Sequence, residues 1–372
     1  MQSFAELASQ RRINPSPTAA VDRSRLITAA KSGGQYLIRM QKSDGSFHYL
    51  YDAESDRVES RRYNIVRHAG ATLSLLDLYE ATRDSNYLWS ARRAIGFLKT
   101  RVRAASPRAA YVLDFDGKAK LGAAGLALAA IAKQIQLDAR SADRQLATRL
   151  ANQILAMQRK DGSFEMRHRL HESEEPAAES LYYPGEALLG LIRFYDLNRD
   201  RRLLKAAQHG ASYLIESQLR MSRLPPDAWL PQALEDLYKI APDRRYLDHA
   251  IRLAEVMIED QYNENDGAEY AGGFGPGPPR STPAASRAEG LVAAYRLAKK
   301  AGDDRASKIA DALRASARFQ LAQQFTAATS GSLRSPKRAL GGFRESLESS
   351  KIRIDFVQHN ISSLLGIAET LY

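Results

Sequence analysis

Apolar positions along the chain recur with a helical period, and the segments that carry them are of two kinds. One kind is amphipathic, with charged residues on one side and apolar residues on the other. Its members are Arg23 to Gln41, Tyr87 to Val102, Asp143 to Gln158, Arg202 to Gln218, Arg245 to Asp260 and Arg305 to Phe325. These six segments are predicted to be outer helices, each with one face toward solvent.

The second kind alternates with the first, is richer in alanine, glycine and leucine, and carries little charge in its middle. Its members are Tyr63 to Glu80, Leu121 to Leu137, Pro184 to Asp196, Ala228 to Ile240, Arg287 to Lys299 and Asp355 to Tyr372. Because a helix that is apolar on more than one side is buried, these six segments are predicted to be inner helices.

The connections between the helices also alternate in kind. Those that lead from an inner to an outer helix are short turns with an acidic residue near the next helix start. Those that lead from an outer to an inner helix are mostly long and glycine-rich. Three of these long loops begin with a related phrase, at Gln41 to Phe47, Gln158 to Phe164 and Gln261 to Gly267, and Gly-Gly-Phe occurs at 272–274 and 341–343.

Six such hairpins can cover their apolar inner faces only by closing into a ring. The sequence therefore predicts an all-α protein, a single (α/α)6 toroid over residues 22–372 preceded by a flexible segment over residues 1–21. In this arrangement every inner-helix N-terminus opens toward one cleft.

The Gln-x-x-Asp-Gly-Ser-Phe phrases at Gln41 and Gln158 resemble those of α/α-toroid proteins, and the repeat covers nearly the whole chain. These superfamilies include six-hairpin glycosidases, polysaccharide lyases, sugar epimerases, terpenoid cyclases and lanthionine cyclases. The resemblance implies a carbohydrate-active, six-hairpin glycosidase-like protein. It is a resemblance of architecture, so the chemistry must be argued from the residues of the cleft.

Composition narrows these classes. The chain has no cysteine, which argues against the toroid enzymes that hold zinc through a cysteine-containing site. The aromatic content of 8% and the incomplete Asp-rich phrase Asp114-Phe115-Asp116 argue against terpenoid cyclases. The seven histidines are scattered, so neither a metal site nor a cofactor is predicted.

The net charge of +11 would favour an anionic partner, although a solvated basic surface is the simpler explanation. No run of Lys and Arg is interleaved with aromatic residues, so nucleic acid is not expected and a saccharide, neutral or anionic, is preferred. No window approaches a membrane span and no signal peptide is recognisable. We expect a soluble protein, either cytoplasmic or exported with its leader removed, and the oligomeric state stays open.

Two histidines begin inner helices that are neighbours in a closed ring. Asn64, Arg67 and His68 share one face of the first inner helix, and Asp355 and His359 share one face of the last. A histidine can donate or accept a proton near neutral pH, so His68 and His359 are catalytic candidates. The alternative is that both histidines tie hairpins together through hydrogen bonds to loop backbone.

Carboxylic acids lie at the starts of other inner helices. Glu186 follows a tyrosine pair that could stack on a sugar, although the helix dipole alone would explain an acid there. Asp227 is a candidate N-cap, and Trp229 stacks on a ligand or simply packs. Glu289 faces the cleft or completes a capping box with Ser286.

The candidate residues fall into two sets. The predicted catalytic residues are Glu186, Glu289, Asp355, His68 and His359. The predicted substrate-binding residues are Tyr63, Asn64, Arg67, Tyr182, Tyr183, Asp227, Trp229, Arg287, Arg344 and Arg353.

Three functions remain open at this point. A glycoside hydrolase, the leading hypothesis, needs one carboxylic acid to protonate the leaving oxygen and a second carboxylate to activate water or attack carbon. A uronate lyase or sugar C5-epimerase would instead use His or Tyr to move protons and Arg or Asn to neutralise a carboxylate. The third is a non-catalytic glycan-binding or assembly scaffold.

Overall fold

The computed structural model describes residues 21–59, 62–138, 142–171 and 178–372, and within them twelve long helices form six hairpins. In chain order the hairpins are α1 (Arg23–Arg39) with α2 (Ile65–Thr82), α3 (Ser85–Thr100) with α4 (Leu121–Leu137), α5 (Arg144–Met157) with α6 (Tyr183–Asn198), α7 (Arg201–Leu219) with α8 (Leu230–Ile240), α9 (Arg244–Glu259) with α10 (Ser281–Ala301), and α11 (Arg305–Gln323) with α14 (Ile354–Leu371). Two four-residue helices, α12 (Ala327–Ser330) and α13 (Pro336–Ala339), lie in the last long loop.

The predicted alternation of outer and inner helices is confirmed. The first helix of each hairpin buries one stripe, whereas the second is buried on most sides, as in α4, where only three of 17 residues escape burial. The expected (α/α)6 toroid is therefore the fold of this chain. The proposed domain boundary at residue 22 stays a prediction, since residues 1–20 lie outside the described ranges.

The ring closes where the last inner helix meets the first hairpin. Helix α14 packs against α1 and α2 on one side and against α10 on the other. Short strands tie the long loops together: β1 (Leu50–Asp52), β2 (Arg57–Glu59), β3 (Val102–Ser106), β4 (Ala109–Val112), β5 (Ala119–Lys120), β6 (Arg167–His168) and β7 (Lys351–Arg353). The antiparallel order β2-β1-β7 joins the first long loop to the last, and so reinforces the closure.

The repeated glutamine phrase is a brace between adjacent hairpins. The amide of Gln41 donates to the Gly45 carbonyl at 3.1 Å and to the Ser90 carbonyl of the next outer helix at 3.0 Å. The corresponding pairs of bonds are made by Gln158, Gln261 and Gln324. Gly45 has a φ of 89°, and a Cβ there would lie 2.1 Å from the Arg93 carbonyl oxygen, so only glycine fits this turn.

Two details differ from the sequence-based expectation. In the fifth hairpin the brace is completed by Gly272, not by the expected Asp266-Gly267 pair, because a separate 3-10 turn (Glu264–Asp266) is inserted between them. Helix α10 begins at Ser281, six residues before the predicted Arg287. Pro283 is tolerated so close to the start because the first four backbone N–H groups of a helix have no partner within it.

The early start of α10 also overturns the capping-box explanation of Glu289. Glu289 lies in the third turn of the helix, and the Ser286 hydroxyl donates to the Pro283 carbonyl at 3.5 Å instead of capping. No helix in the described part of the chain is both long and apolar enough to cross a membrane.

Candidate active site

The N-terminal halves of the inner helices, with the residues just before them, lie at one end of the ring, and their polar side chains form three groups. Asp355, in the first turn of α14, lies between two arginines. Arg353 bonds both of its carboxylate oxygens, at 2.5 and 2.8 Å, and Arg67 of α2 approaches at 3.0 Å. Arg67 also donates to the Tyr49 hydroxyl. The Arg67 side chain is 37% exposed against 5% for Asp355, so Arg67 is the member that can meet a ligand.

The second group is a histidine paired with a glutamate. Nδ1 of His359 lies 2.8 Å from Oε2 of Glu289, and both side chains are buried. Burial works to lower the pKa of His359, but the Glu289 carboxylate beside it raises that pKa above its usual value. The Trp229 ring stands edge-on to the imidazole, with centroids 5.8 Å apart. The pair can therefore exchange a proton beside a flat apolar surface.

The third group holds two buried carboxyl groups. Oε2 of Glu186 has no hydrogen-bond partner, and a Cβ on Gly122 would lie 2.0 Å from it, so glycine at 122 makes the space that this carboxyl group fills. Burial, with Asp227 nearby, raises the pKa of Glu186 to about 8. Burial also raises the pKa of Asp227, to about 6. Glu186 is therefore protonated at neutral pH.

Asp227 also acts as a cap, which was the alternative role proposed for it. Its Oδ1 accepts the backbone N–H groups of Trp229 and Leu230, at 3.0 and 3.1 Å, at the start of α8. These bonds favour the ionised form of Asp227 and oppose the effect of burial.

His68 lies outside these groups, in the packing between the first two hairpins. Its Nε2 donates to the Ala94 carbonyl at 2.8 Å, and its Nδ1 accepts from the Tyr63 hydroxyl at 2.8 Å. Burial lowers the pKa of His68 to about 4. Because both ring nitrogens are engaged, this placement matches the alternative in which the histidine ties hairpins together. Asn64 likewise caps α2 by accepting the Arg67 backbone N–H at 3.0 Å.

The remaining predicted binding residues lie at the rim. Tyr182 is 46% exposed, whereas the Tyr183 ring packs against Gly122. Arg287 donates to the Gly275 carbonyl at 2.9 Å, and Arg344 donates to the Ala322 carbonyl at 2.9 Å. Both of these arginines therefore also have structural contacts.

Several residues of the site were not found from the sequence. Gly122 has no side chain, so the sequence gives no sign that it makes room for the Glu186 carboxyl group. Tyr49 lies in a loop and carries no motif, and Gln218 and His249, which extend the third group, belong to the outer helices α7 and α9. Across the described ranges, no cluster of three or more His, Asp or Glu side chains could hold a metal ion.

Comparisons with known proteins agree with this architecture. A structure of D-mannose isomerase matches with a TM-score of 0.71 and 13% identity, covering 96% of this chain and 100% of that one. The GH76A alpha-1,6-mannanase of Salegentibacter sp. HEL1_6 matches with a TM-score of 0.68 and 13% identity, covering 93% and 99%. At such identities the likeness shows the fold alone.

A structure of cellobiose 2-epimerase from Bacillus thermoamylovorans B4167 matches with a TM-score of 0.68 and 13% identity, covering 92% of this chain and 98% of that one. No curated protein sequence matches significantly. The expected six-hairpin glycosidase-like, carbohydrate-active toroid is confirmed. The family model "Beta-L-arabinofuranosidase, GH127 catalytic domain" matches residues 98–330, well over half of the chain. The protein therefore belongs to the GH127 family of glycoside hydrolase catalytic domains.

Proposed function

We propose that this protein hydrolyses a glycosidic bond with Glu186 as the general acid. The observation that carries the proposal is the buried Glu186 carboxyl group, whose pKa is raised to about 8 by burial and by the neighbouring Asp227. A glycosidase must deliver a proton to the leaving oxygen, and an acid can do so only if it still holds that proton at the working pH. Glu186 meets this condition at neutral pH.

Glu289 is the better candidate for the second carboxylate. Both oxygens of Asp355 are bonded to Arg353, whereas Glu289 is held through Oε2 by His359. Trp229 contacts both sides of the site, since its ring meets His359 and its Cβ lies close to Gly185, next to Glu186. A sugar ring resting near Trp229 would have a carboxyl group on each side.

The first substrate to test is a β-L-arabinofuranoside, because the description of the matching family names one. An acidic saccharide is the second, since the exposed Arg67 could bind a substrate carboxylate. We propose both this choice of saccharides and the roles of the individual residues.

The test compares Glu186→Gln with wild type on two substrates of different leaving groups. On an arabinose disaccharide we expect kcat/KM to fall about 10³-fold, because a sugar leaving group needs protonation. On 4-nitrophenyl β-L-arabinofuranoside the loss should be much smaller, since nitrophenolate leaves without a proton. Glu216→Gln on the exposed face of α7 is the matched control and should change neither rate.

Two results would contradict the proposal. An equal loss on both substrates would show that Glu186 does not act as the acid. No turnover by the wild-type protein of any neutral or uronate saccharide, with binding retained, would instead favour the glycan-binding scaffold.

A proton-abstracting enzyme, such as a uronate lyase or an epimerase, is the second candidate, favoured by the His359–Glu289 pair. A neutral histidine can take a proton from carbon and later return it, and a neighbouring carboxylate stabilises the imidazolium that forms in between. Arg67 is available to neutralise the negative charge that develops on the substrate. The reaction would be run in D2O and the sugars examined by mass spectrometry. Deuterium incorporation that His359→Asn abolishes and Glu186→Gln preserves would favour this function over hydrolysis.

A further inference from the structure

The two buried carboxyl groups of the site have very different surroundings. Asp227 is 0% exposed and accepts three hydrogen bonds, from the backbone N–H groups of Trp229 and Leu230 and from the amide of Gln218 at 3.4 Å. Glu186 is 4% exposed, and its Oε2 accepts none. Donors stabilise a carboxylate, so this asymmetry favours a negative charge on Asp227 and a proton on Glu186.

The donor from Gln218 is itself oriented by a second residue. Nε2 of His249, on α9, lies 2.8 Å from Oε1 of Gln218, and the other amide atom, Nε2, faces Asp227. A carboxylate only accepts, so the amide nitrogen must face it, and the amide oxygen then requires an N–H from His249. Burial lowers the pKa of His249 to about 4, so the ring is neutral and its Nδ1, which has no partner, carries no proton.

We propose that Gln218 and His249 are positioning residues that hold Asp227 ionised, so that its negative charge keeps the proton on Glu186. All hydrogen bonds of this relay point the same way, from His249 through Gln218 to Asp227. The inference rests on the proposed role of Glu186 as general acid, and it adds two residues of the outer helices to that role. Neither residue can touch a substrate in the ring, so both act through Asp227.

The other groups around the pair do not provide an alternative counter-charge. At the start of α6, Tyr182 interacts electrostatically with both carboxyl groups and Tyr183 with Glu186, and burial raises the pKa of both hydroxyls, so both are neutral. Lys120 acts on Tyr183, and Arg287 acts on Tyr182. Within the described residues, neither carboxyl group of the pair forms an ion pair. The donors to Asp227, which are two backbone N–H groups and the amide of the relay, are therefore the local features that distinguish one carboxyl group from the other.

The test replaces Gln218 by methionine, which keeps the volume and removes both hydrogen bonds. Infrared spectra at neutral pH report the C=O stretch of protonated carboxyl groups, and Glu186→Gln and Asp227→Asn identify the residue that carries the signal. In wild type the signal should disappear with Glu186→Gln. In Gln218→Met it should disappear with Asp227→Asn, and kcat/KM should be about tenfold lower, since one unit of differential pKa is a tenfold change.

Gln320→Met is the matched control, because Gln320 is a fully buried outer-helix glutamine whose amide donates to Ser316. It should leave both the carboxyl signal and kcat/KM unchanged. Should Gln218→Met not fold, Asp227→Asn gives an independent measurement. Loss of the neighbouring negative charge should move the titration of Glu186 to lower pH, and an unmoved titration would overturn the inference.

Two other outcomes also overturn it. In the first, the carboxyl signal of wild type does not disappear with Glu186→Gln. The proton is then not on Glu186, and the general-acid role fails together with the inference. Alternatively, the signal stays on Glu186 in Gln218→Met, in which case the relay does not place the proton although Glu186 can still be the acid. If wild type hydrolyses no saccharide but the infrared pattern is as expected, the relay stands and the proposed reaction fails.

Discussion

Two clusters of acids, one at each end of the inner helices, handle buried charge in opposite ways. At the N-terminal end, the buried carboxyl groups of Glu186 and Asp227 interact electrostatically, and no cation among the described residues is bonded to either. At the C-terminal end, acids form ion pairs with bases of neighbouring helices, and we call these residues the closed-end network: Asp77, Lys133, Arg193, Glu235, Asp236, Arg296 and Glu369. The first cluster contains the carboxyl group that we propose as the general acid, and the second stabilises contacts between helices.

The closed-end network joins several pairs of neighbouring inner helices. Asp77 of α2 bonds Lys133 of α4 and accepts from the Ser362 hydroxyl of α14 at 3.0 Å. Arg296 of α10 approaches Glu369 of α14 at 2.6 Å and Glu235 of α8 at 3.7 Å. A further pair, Arg193 to Asp236 at 3.1 Å, joins α6 to α8. Burial alone would raise the pKa of Asp236, but Arg193 and Lys239 bring it below its usual value.

This difference shows that burial by itself does not determine whether a carboxyl group is ionised or protonated. In the closed-end network a buried acid with a cation beside it is ionised and structural, whereas Glu186, with another acid nearby and no donor to its Oε2, keeps its proton. The placement of cations and hydrogen-bond donors therefore distinguishes Glu186 from the acids of the closed-end network.

The largest expected effect is an opposite pH dependence of stability at the two ends. The pKa of Glu186 is about 8 in the folded protein against an ordinary 4.5, so the folded state keeps a proton that the unfolded state releases between these values. Its contribution to the free energy of unfolding therefore falls as pH rises from about 4.5 to 8, by up to roughly 4 kcal/mol. Urea unfolding from pH 4 to 9 should show that the free energy of unfolding of Glu186→Gln increases relative to that of wild type as pH rises.

Asp236 supplies the contrast in the same experiment. Its pKa is lowered in the folded state, so its contribution is present at neutral pH and is lost as pH falls through the folded pKa. Asp236→Asn should therefore approach wild-type stability only in acid. Parallel pH profiles for the two variants would remove the contrast between the ends.

The next effect is the removal of the buried cation of the closed-end network. Lys133→Met leaves Asp77 without its cation, and we expect it to lower the free energy of unfolding by about 3 kcal/mol. Lys239→Met removes a lysine that is 53% exposed, and should cost less than about 1 kcal/mol. Both should keep kcat/KM within a few-fold of wild type, and a large loss in either would mean that the two ends are coupled.

A smaller effect is expected from filling the space at Gly122. Gly122→Ala places a methyl group against the Glu186 carboxyl group and the Tyr183 ring, which should cost about 2 kcal/mol and reduce activity. Gly96→Ala is the matched control, because nothing lies within 4 Å of its added Cβ in helix α3. That variant should gain about 0.5 kcal/mol from helix propensity alone. Equal effects of the two changes on activity would show that Gly122 does not position Glu186.

The smallest expected effect is that of Glu80 on the free energy of unfolding. Glu80 approaches Lys133 at 2.8 Å, but its side chain is 45% exposed, so Glu80→Gln should change the free energy of unfolding by less than about 0.5 kcal/mol. Thermal unfolding beside Lys133→Met gives the comparison. A cost as large as that of Lys133→Met would mean that the lysine acts through Glu80 and not through Asp77.

Much of the fold could be read from the sequence, because helix period and buried composition are local properties of each segment. All twelve long helices were predicted, most within two residues of their observed ends, and the largest error was the start of α10. That start was missed because Ser286 to Glu289 fits a capping box, a local pattern that placed the beginning of the helix near Arg287. The glutamine phrases were recognised as a repeat, but their bonds to the next outer helix could not be foreseen.

The sequence by itself determined the six hairpins, the ring that they must close, and the inner helices that carry Glu186, Glu289, Asp355 and His359. The tertiary structure decided which of these groups has which neighbour. His68 and Asn64 have the same spacing as groups in the cleft, yet they bond scaffold atoms, and Gln218 and His249 reach Asp227 from helices with no motif. The reason is physical: the pKa of a buried group depends on donors and charges within a few ångströms, and in a ring these come from helices far apart in the chain.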